Sequence, residues 1–84
     1  MILFQRIVNQ KLNNITTEEL MQYASQYNIP IGRPQAVEVV KLIRGKNINL
    51  FNQTERGKLL QNIANITSPR TAEQVNQIFM QFIG

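Results

Sequence analysis

Short stretches of this sequence carry the signals that begin α-helices, and they recur along its whole length. In ITTEEL, Thr16 is followed three residues later by Glu19, the spacing of a capping box in which each side chain binds the other residue's backbone N–H. Asn52 and Glu55 repeat that spacing, and in SPRT a serine stands directly before a proline, which favours the first helical turn. Signals so closely spaced restrict the chain to short helices.

Apolar residues recur at helical spacing between these signals. Leu20, Tyr23 and Ala24 share one face of the helix that ITTEEL begins. Gly45 can adopt the left-handed conformation that ends a helix. No segment alternates with the period of two that is typical of strands, and residues 48–51 (INLF) are too short to form one. We predict an all-α fold, a compact orthogonal bundle of about five short helices over residues 2–13, 17–27, 34–44, 53–65 and 69–83.

Length and composition indicate one soluble domain. A chain of 84 residues fits a single all-helical domain over residues 1–84. The first residues lack the apolar centre of a signal peptide because Gln5 and Arg6 interrupt it, and no apolar run approaches the roughly 18 residues of a membrane span. The chain has no cysteine, which fits a reducing compartment. We therefore expect a cytoplasmic protein that does not enter the membrane.

Two helices are expected to bury most of their surface. The third carries apolar side chains over more than half of its circumference, which predicts a place in the middle of the bundle. The segment that precedes it, residues 28–33 (NIPIGR), is expected to be extended, and Pro34 to be the first helical residue. The last helix is also apolar over a broad arc, with Met80 lying off that arc. The apolar residues of the two helices are Ala36, Val37, Val39, Val40, Leu42 and Ile43, and then Ala72, Val75, Ile78, Phe79, Phe82 and Ile83.

The inventory of side chains argues against an enzyme. Histidine, cysteine and aspartate are all absent, so a serine triad lacks its base and a zinc site lacks its usual ligands. Glu18 and Glu19 are neighbours and would point about 100° apart on a helix, too far apart to hold one ion. No glycine-rich phosphate loop is present. We predict no catalytic residue, no metal-binding residue, no cofactor and no small-molecule substrate.

Residues 42–56, LIRGKNINLFNQTER, allow two interpretations. The cations Arg44 and Lys46 flank Gly45 at the end of the third helix, where the helix dipole favours positive charge. Arg56 can pack its stem on Phe51, just before the next helix, while its guanidinium reaches open backbone carbonyls such as that of Arg44. These features favour a structural role, in which the segment ends one helix and begins the next. The alternative is a loop that binds phosphate.

The charge balance leaves nucleic-acid binding open as a second function. The net charge is +4 and the calculated pI is about 10.0, which is a modest basic excess. The cations are spread along the chain, so a solvated surface is the favoured interpretation. If the domain does bind DNA or RNA, the expected contacts are Arg33, Lys46, Lys58, Asn62 and Arg70.

The last helix points instead to a protein partner. Its apolar arc is broad, and Met80 stands outside the arc beside two phenylalanines. Exposed apolar patches mark binding surfaces for other proteins. We therefore predict a protein-interaction module that binds another protein or forms a homodimer, with an interface at Phe79, Met80, Phe82 and Ile83.

Two resemblances accompany these predictions. Residues 18–43, EELMQYASQYNIPIGRPQAVEVVKLI, resemble the helix–extended loop–helix modules of SAP-type domains, which often bind nucleic acid. This segment departs from them because only Arg33 stands at the start of its second helix. Over nearly the full length, with QRIVNQKLNNITTEEL, IRGKNINLFNQTER and IANITSPRTAEQVNQIF as the matching stretches, the chain resembles the YqfT-like family of short bacterial proteins of unknown function. That resemblance implies a bacterial cytoplasmic protein and supplies no activity.

Overall fold

A computed structural model describes residues 2–83 of the chain. These residues form five α-helices and no strand, so the predicted all-α bundle is confirmed. No helix boundary differs from its predicted position by more than one residue. The helices are α1 (Ile2–Asn13), α2 (Thr17–Gln26), α3 (Arg33–Ile43), α4 (Gln53–Ile66) and α5 (Pro69–Ile83).

Side-chain caps begin α2 and α5 as the sequence predicts. At α2 the Glu19 N–H donates to Thr16 Oγ1 at 3.1 Å and the Thr16 N–H donates to Glu19 Oε1 at 3.0 Å. At α5 the Thr71 N–H donates to Ser68 Oγ at 3.1 Å. Each bond satisfies one of the N–H groups that a helix leaves open in its first turn.

The start of α4 differs from the predicted reciprocal box. Asn52 Oδ1 does accept from the Glu55 N–H at 3.0 Å. The Glu55 carboxylate, however, accepts from the Asn49 N–H at 3.0 Å instead of returning to Asn52. The reason is a tight turn, in which the Asn52 N–H already donates to the Asn49 carbonyl oxygen at 3.1 Å. With that donor occupied, Glu55 stabilises the preceding loop.

The segment between α2 and α3 is more tightly turned than the extended prediction for residues 28–33. Asn28 lies in the left-handed region with φ 56°. Its N–H donates to the Ser25 carbonyl oxygen at 3.2 Å, and the Ile29 N–H donates to the Ala24 carbonyl oxygen at 2.7 Å. This pair of bonds is the Schellman motif, here with asparagine in the left-handed position that glycine usually holds. The motif turns the chain sharply and buries Ile29.

The third helix begins and ends one residue earlier than predicted, at Arg33 and Ile43, and Gly45 after it has the predicted left-handed conformation. Gly32 is its N-cap, so Pro34 occupies the second helical position, where a missing N–H still costs nothing. Gly45 has φ 76° and stands directly after the C-cap Arg44. That conformation favours glycine because it brings the Cβ of other residues close to the backbone.

Replacing Gly45 by alanine is expected to lower the free energy of unfolding by about 1 kcal/mol, because alanine resists the left-handed conformation. An added Cβ would meet no atom within 4 Å, so the cost is conformational. Gly57 is the matched control. It lies inside α4 with equally open space around a Cβ, and Gly57→Ala is expected to stabilise the chain by up to about 1 kcal/mol. Urea unfolding of both variants checks the pair, and two shifts of the same sign would contradict this account.

The core is formed where α3, α4 and α5 meet. Among the described residues the closest helix packing joins α4 to α5, α2 to α3 and α3 to α4. Thus α3 lies between α2 and α4, close to the central position predicted for it. The buried core cluster consists of Ile15, Val39, Ile43, Leu50, Leu59, Ile63, Ala72 and Phe79.

The third helix is nevertheless less enclosed than its composition predicts. Ala36, Val39 and Ile43 are at most 2% exposed. Val37, predicted to belong to the same buried arc, is 36% exposed. It lies about 100° around the helix from Ala36, on a side that neither α2 nor α4 covers. Two neighbours therefore cover only part of the apolar arc.

Candidate functional site

The first helix is attached to the rest of the chain mainly by asparagine side chains. Asn9 Nδ2 donates to Asn49 Oδ1 at 3.0 Å, and the Leu50 N–H donates to Asn9 Oδ1 at 3.0 Å. One turn later, Asn13 accepts from two residues of the same loop: its side chain from the Asn47 N–H at 2.9 Å, and its carbonyl from the Gly45 N–H at 3.0 Å. We call these four bonds the asparagine anchor.

An aromatic contact extends the attachment toward the start of α1. The rings of Phe4 and Phe51 meet edge to face, with centroids 6.3 Å apart and planes at 71°. Together with the asparagine anchor, this contact holds one side of α1 along the loop between α3 and α4.

These contacts decide between the two interpretations of residues 42–56. Every backbone N–H from Arg44 to Asn52, except that of Ile48, donates to an acceptor within the chain. A phosphate-binding loop needs several such groups free. Arg56 Nη1 donates to the Leu50 carbonyl oxygen at 3.0 Å, so the carbonyl it reaches is that of Leu50 and not that of Arg44. The segment closes helix ends and anchors α1.

The apolar side of α1 faces an open groove. Val8 and Leu12 touch the edge of the core, but α1 has no close helix packing of the kind that joins the other four helices in the described part of the chain. A cavity of about 710 Å³ lies instead between α1, α2 and α5, and we call it the α1–α2–α5 groove. Its apolar walls include Phe4, Ile7, Val8, Leu12, Leu20, Tyr23, Tyr27, Val75, Ile78 and Phe82.

The groove reaches from the surface into the core. Val39, Ile43 and Ile63 line its floor, and each is at most 2% exposed. The rim is different. Five of its apolar residues remain open to solvent: Phe4 is 46% exposed, Ile7 50%, Tyr23 45%, Tyr27 38% and Phe82 44%.

The polar residues of the groove gather at one end. Gln10 and Lys11 come from the second half of α1, Asn14 directly follows that helix, and Glu19 lies in the first turn of α2. Lys11 and Glu19 carry opposite charges, so the groove favours neither a basic nor an acidic ligand. The groove surface is mainly apolar, and its polar end carries one positive and one negative charge.

The four residues predicted as a protein interface divide between the groove and its surroundings. Phe82 stands on the rim, and Phe79 is buried in the floor at 8% exposure. Met80 is exposed outside the groove lining, and Ile83 packs against the core. The interface predicted from the sequence does not include the walls that α1 and α2 supply. In the sequence, Phe4 and Ile7 on α1 and Tyr23 on α2 show only the apolar spacing of an amphipathic helix. That spacing does not distinguish a binding surface from a core.

The residues predicted for nucleic-acid contact lie on four elements. Arg33 at the start of α3 is ion-paired with Glu18, with Nη1 2.6 Å from Oε2. Lys46 is exposed in the loop after α3, and Arg70 is exposed on α5. Lys58 and Asn62 are both exposed and lie one turn apart on α4. Of the five residues predicted for nucleic-acid contact, only Lys58 and Asn62 therefore share one helix face.

The Arg33–Glu18 pair predicts a pH effect. The Arg33 guanidinium, hydrogen-bonded to the Glu18 carboxylate, holds the pKa of that carboxyl below its usual range. Arg33→Gln is therefore expected to raise the Glu18 pKa toward its ordinary value, as followed by NMR titration of the side-chain carboxyl. Lys41→Gln, which removes the cation of the separate Lys41–Glu38 pair, is the control variant in which the Glu18 pKa should stay low.

The sign of the stability effect follows from linkage. A carboxyl whose pKa is lower in the folded chain stabilises folding above its ordinary pKa and loses that contribution as pH falls through the folded-state pKa. The Arg33–Glu18 pair thus favours folding near neutral pH and not in acid. Both side chains are largely exposed, so the effect is small. An unchanged Glu18 pKa in Arg33→Gln would contradict the pairing.

Two further properties describe residues 2–83. No three Glu side chains come together there in a way that could hold a metal ion. None of the five helices in this range combines the length and the apolar character that a membrane crossing needs.

The chain is similar to proteins of one bacterial family. The family model described as "Protein of unknown function (DUF2624)" matches residues 1–83. The uncharacterized protein YqfT of Bacillus subtilis (strain 168) is 52% identical over 82 residues, which cover 98% of each chain. No solved structure matches the chain. The matched region contains all three stretches on which the resemblance to YqfT-like proteins rests.

Proposed function

We propose a function from the geometry of the α1–α2–α5 groove alone, because the chain belongs to the bacterial family described as "Protein of unknown function (DUF2624)". The YqfT-like stretches of the sequence predict that family. The chain is a non-enzymatic protein-interaction module of the bacterial cytoplasm. The groove binds the apolar face of another polypeptide. The observation that supports this proposal most is the set of five solvent-exposed apolar residues on the rim of one deep groove.

Leaving this apolar surface exposed to water is unfavourable, because burial of apolar area lowers the free energy. Contiguous apolar patches are uncommon on monomers and mark interaction sites when they are rimmed by polar groups. Here the rim combines aromatic rings, such as Tyr23 and Phe82, with an opening to the core. Aromatic residues are enriched at protein interfaces because they bury a large area with few rotatable bonds. A groove between helices is also the usual receptor for an amphipathic helix.

Nucleic-acid binding is the second candidate, and the exposed pair Lys58 and Asn62 on α4 favours it. It ranks lower because Arg33 is neutralised by Glu18 and the loop N–H groups after α3 are bonded within the chain. If it is correct, DNA or RNA binding should weaken steeply with added salt and with Lys58→Glu. Absence of binding at low salt would remove this candidate.

The protein-interaction proposal is tested by site-specific photocrosslinking in bacterial cells that express the full chain. A photoreactive phenylalanine analogue replaces Tyr23 or Phe82 on the groove rim, or Gln61 on the exposed face of α4 as the control. We expect crosslinks to a polypeptide from both rim positions and not from Gln61. A folded chain without crosslinks at either rim position would refute the proposal, whereas crosslinks to nucleic acid from α4 would favour the second candidate.

A further inference from the structure

We infer that the polypeptide that covers the α1–α2–α5 groove is a second copy of this chain, so that the domain is a symmetric homodimer. The inference rests on the proposed function and names its partner. Three observations carry it: the area of the exposed apolar rim, the charges at the polar end of the groove, and an apolar ridge beside the groove.

The exposed rim has the area that a dimer of ordinary size needs. The five rim residues are 38–50% exposed, and a large apolar side chain presents roughly 200 Å² when fully exposed. They therefore leave roughly 450 Å² of apolar surface open on each copy, or roughly 900 Å² on two. A standard interface buries about 1,600 Å² in total, of which about 900–1,000 Å² is apolar. Two rims facing each other supply that amount.

The polar end of the groove is self-complementary. Lys11 and Glu19 line it from α1 and α2, and neither takes part in an ion pair within residues 2–83. A two-fold axis places the same surface on both sides of the interface, so a cation and an anion on one copy meet an anion and a cation on the other. A basic or acidic partner would instead face one charge of its own sign.

A ridge and a groove occur side by side on the same surface. Leu3 is 70% exposed and lies one turn before Ile7, whose side chain forms part of the groove wall. These two residues form an apolar ridge along α1. In a two-fold contact each ridge packs into the groove of the other copy, so a single surface supplies both halves of the fit.

Association should be measured by sedimentation equilibrium of the purified full chain between about 1 and 100 µM, a range that brackets micromolar affinity. We expect a species of twice the 9.7 kDa chain mass. Ile7→Glu and Phe82→Glu should each weaken association at least tenfold by placing a charge in an apolar contact. Val37→Glu is the matched control, because Val37 is 36% exposed and lies outside the groove. Its association should match that of the wild type.

Circular dichroism at low concentration shows whether each variant is folded. If either glutamate variant unfolds, Tyr23→Ala serves in its place, since Tyr23 is a half-exposed rim residue whose truncation adds no charge. It should weaken association severalfold in a folded chain.

Charge reversal tests the two-fold arrangement separately. Lys11→Glu brings two carboxylates together across the interface and should weaken association severalfold at low salt. Adding Glu19→Gln to that variant removes the repulsion and should recover most of the loss. The amide keeps an oxygen that can accept the capping hydrogen bond now made by Glu19 Oε1. Without recovery, these charges do not face each other and the symmetric arrangement is overturned.

The outcomes separate this inference from the proposed function. A chain that remains monomeric at about 100 µM, while the rim crosslinks to a different protein in cells, overturns the homodimer and leaves the interaction module in place. A monomer that acquires no crosslink but binds a small apolar molecule in the groove overturns both. A dimer that Val37→Glu disrupts and Phe82→Glu does not is formed by another surface, and the inference is then wrong.

Discussion

Replacing Ile63 by alanine is expected to lower the free energy of unfolding by about 3 to 4 kcal/mol. Ile63 is 1% exposed, lies in the second half of α4 and belongs to the core cluster that α3, α4 and α5 share. Truncation removes apolar contacts and leaves a cavity that the surrounding helices cannot fully close. The loss should be global, since the same core holds all three helices together.

The matched control for this prediction is Ile7→Ala, the same chemical change on the groove rim. Ile7 is 50% exposed, so its truncation should cost less than about 1 kcal/mol when the chain is monomeric. Urea unfolding at low protein concentration gives both values. Equal losses at the two sites would show that Ile7 is packed within the monomer and that the groove is closed.

Asn9→Ala is expected to lower the free energy of unfolding by about 2 to 3 kcal/mol. The substitution removes the acceptor of the Leu50 N–H and the donor to Asn49 Oδ1. Leu50 is 2% exposed, so its N–H would be left without a partner in a largely dry environment. Because α1 has little other support, amide hydrogen exchange should accelerate most in residues 2–13 and least in α4.

Asn14→Ala provides the comparison for Asn9. Asn14 Nδ2 donates at 2.9 Å to the Gln10 carbonyl of its own helix end, in an exposed position. Loss of that bond should cost less than about 1 kcal/mol, because water replaces the partner. If the two alanine variants were equally stable, the asparagine anchor would not be what holds α1.

Helix boundaries were predictable because their causes are local. Thr16 and Ser68 accept N–H groups from residues three positions away, and the sequence shows both partners at once. The left-handed turn at Gly45 likewise depends on a single residue type. The same rule fails at Glu55, where a loop residue occupies the expected donor and redirects the carboxylate.

The groove could not be predicted in the same way, because it is made by contacts between distant residues. Asn9 and Leu50 are 41 residues apart, and the chain has ten asparagines of which only some face a loop. Helical periodicity marks α1 and α2 as amphipathic, but it does not state whether their apolar faces meet. The sequence therefore indicated an interface on Phe82 and left the opposite walls unassigned.

We infer that the α1–α2–α5 groove stays open within one chain and is covered by another copy. Isotope-filtered NOE spectroscopy on a mixture of labelled and unlabelled chains tests it most directly. We predict NOEs between the methyl groups of Ile7 or Ile78 on one copy and the aromatic protons of Tyr23 or Phe82 on the other. NOEs found only within one chain, joining Ile7 directly across the groove to Val75, would contradict the claim.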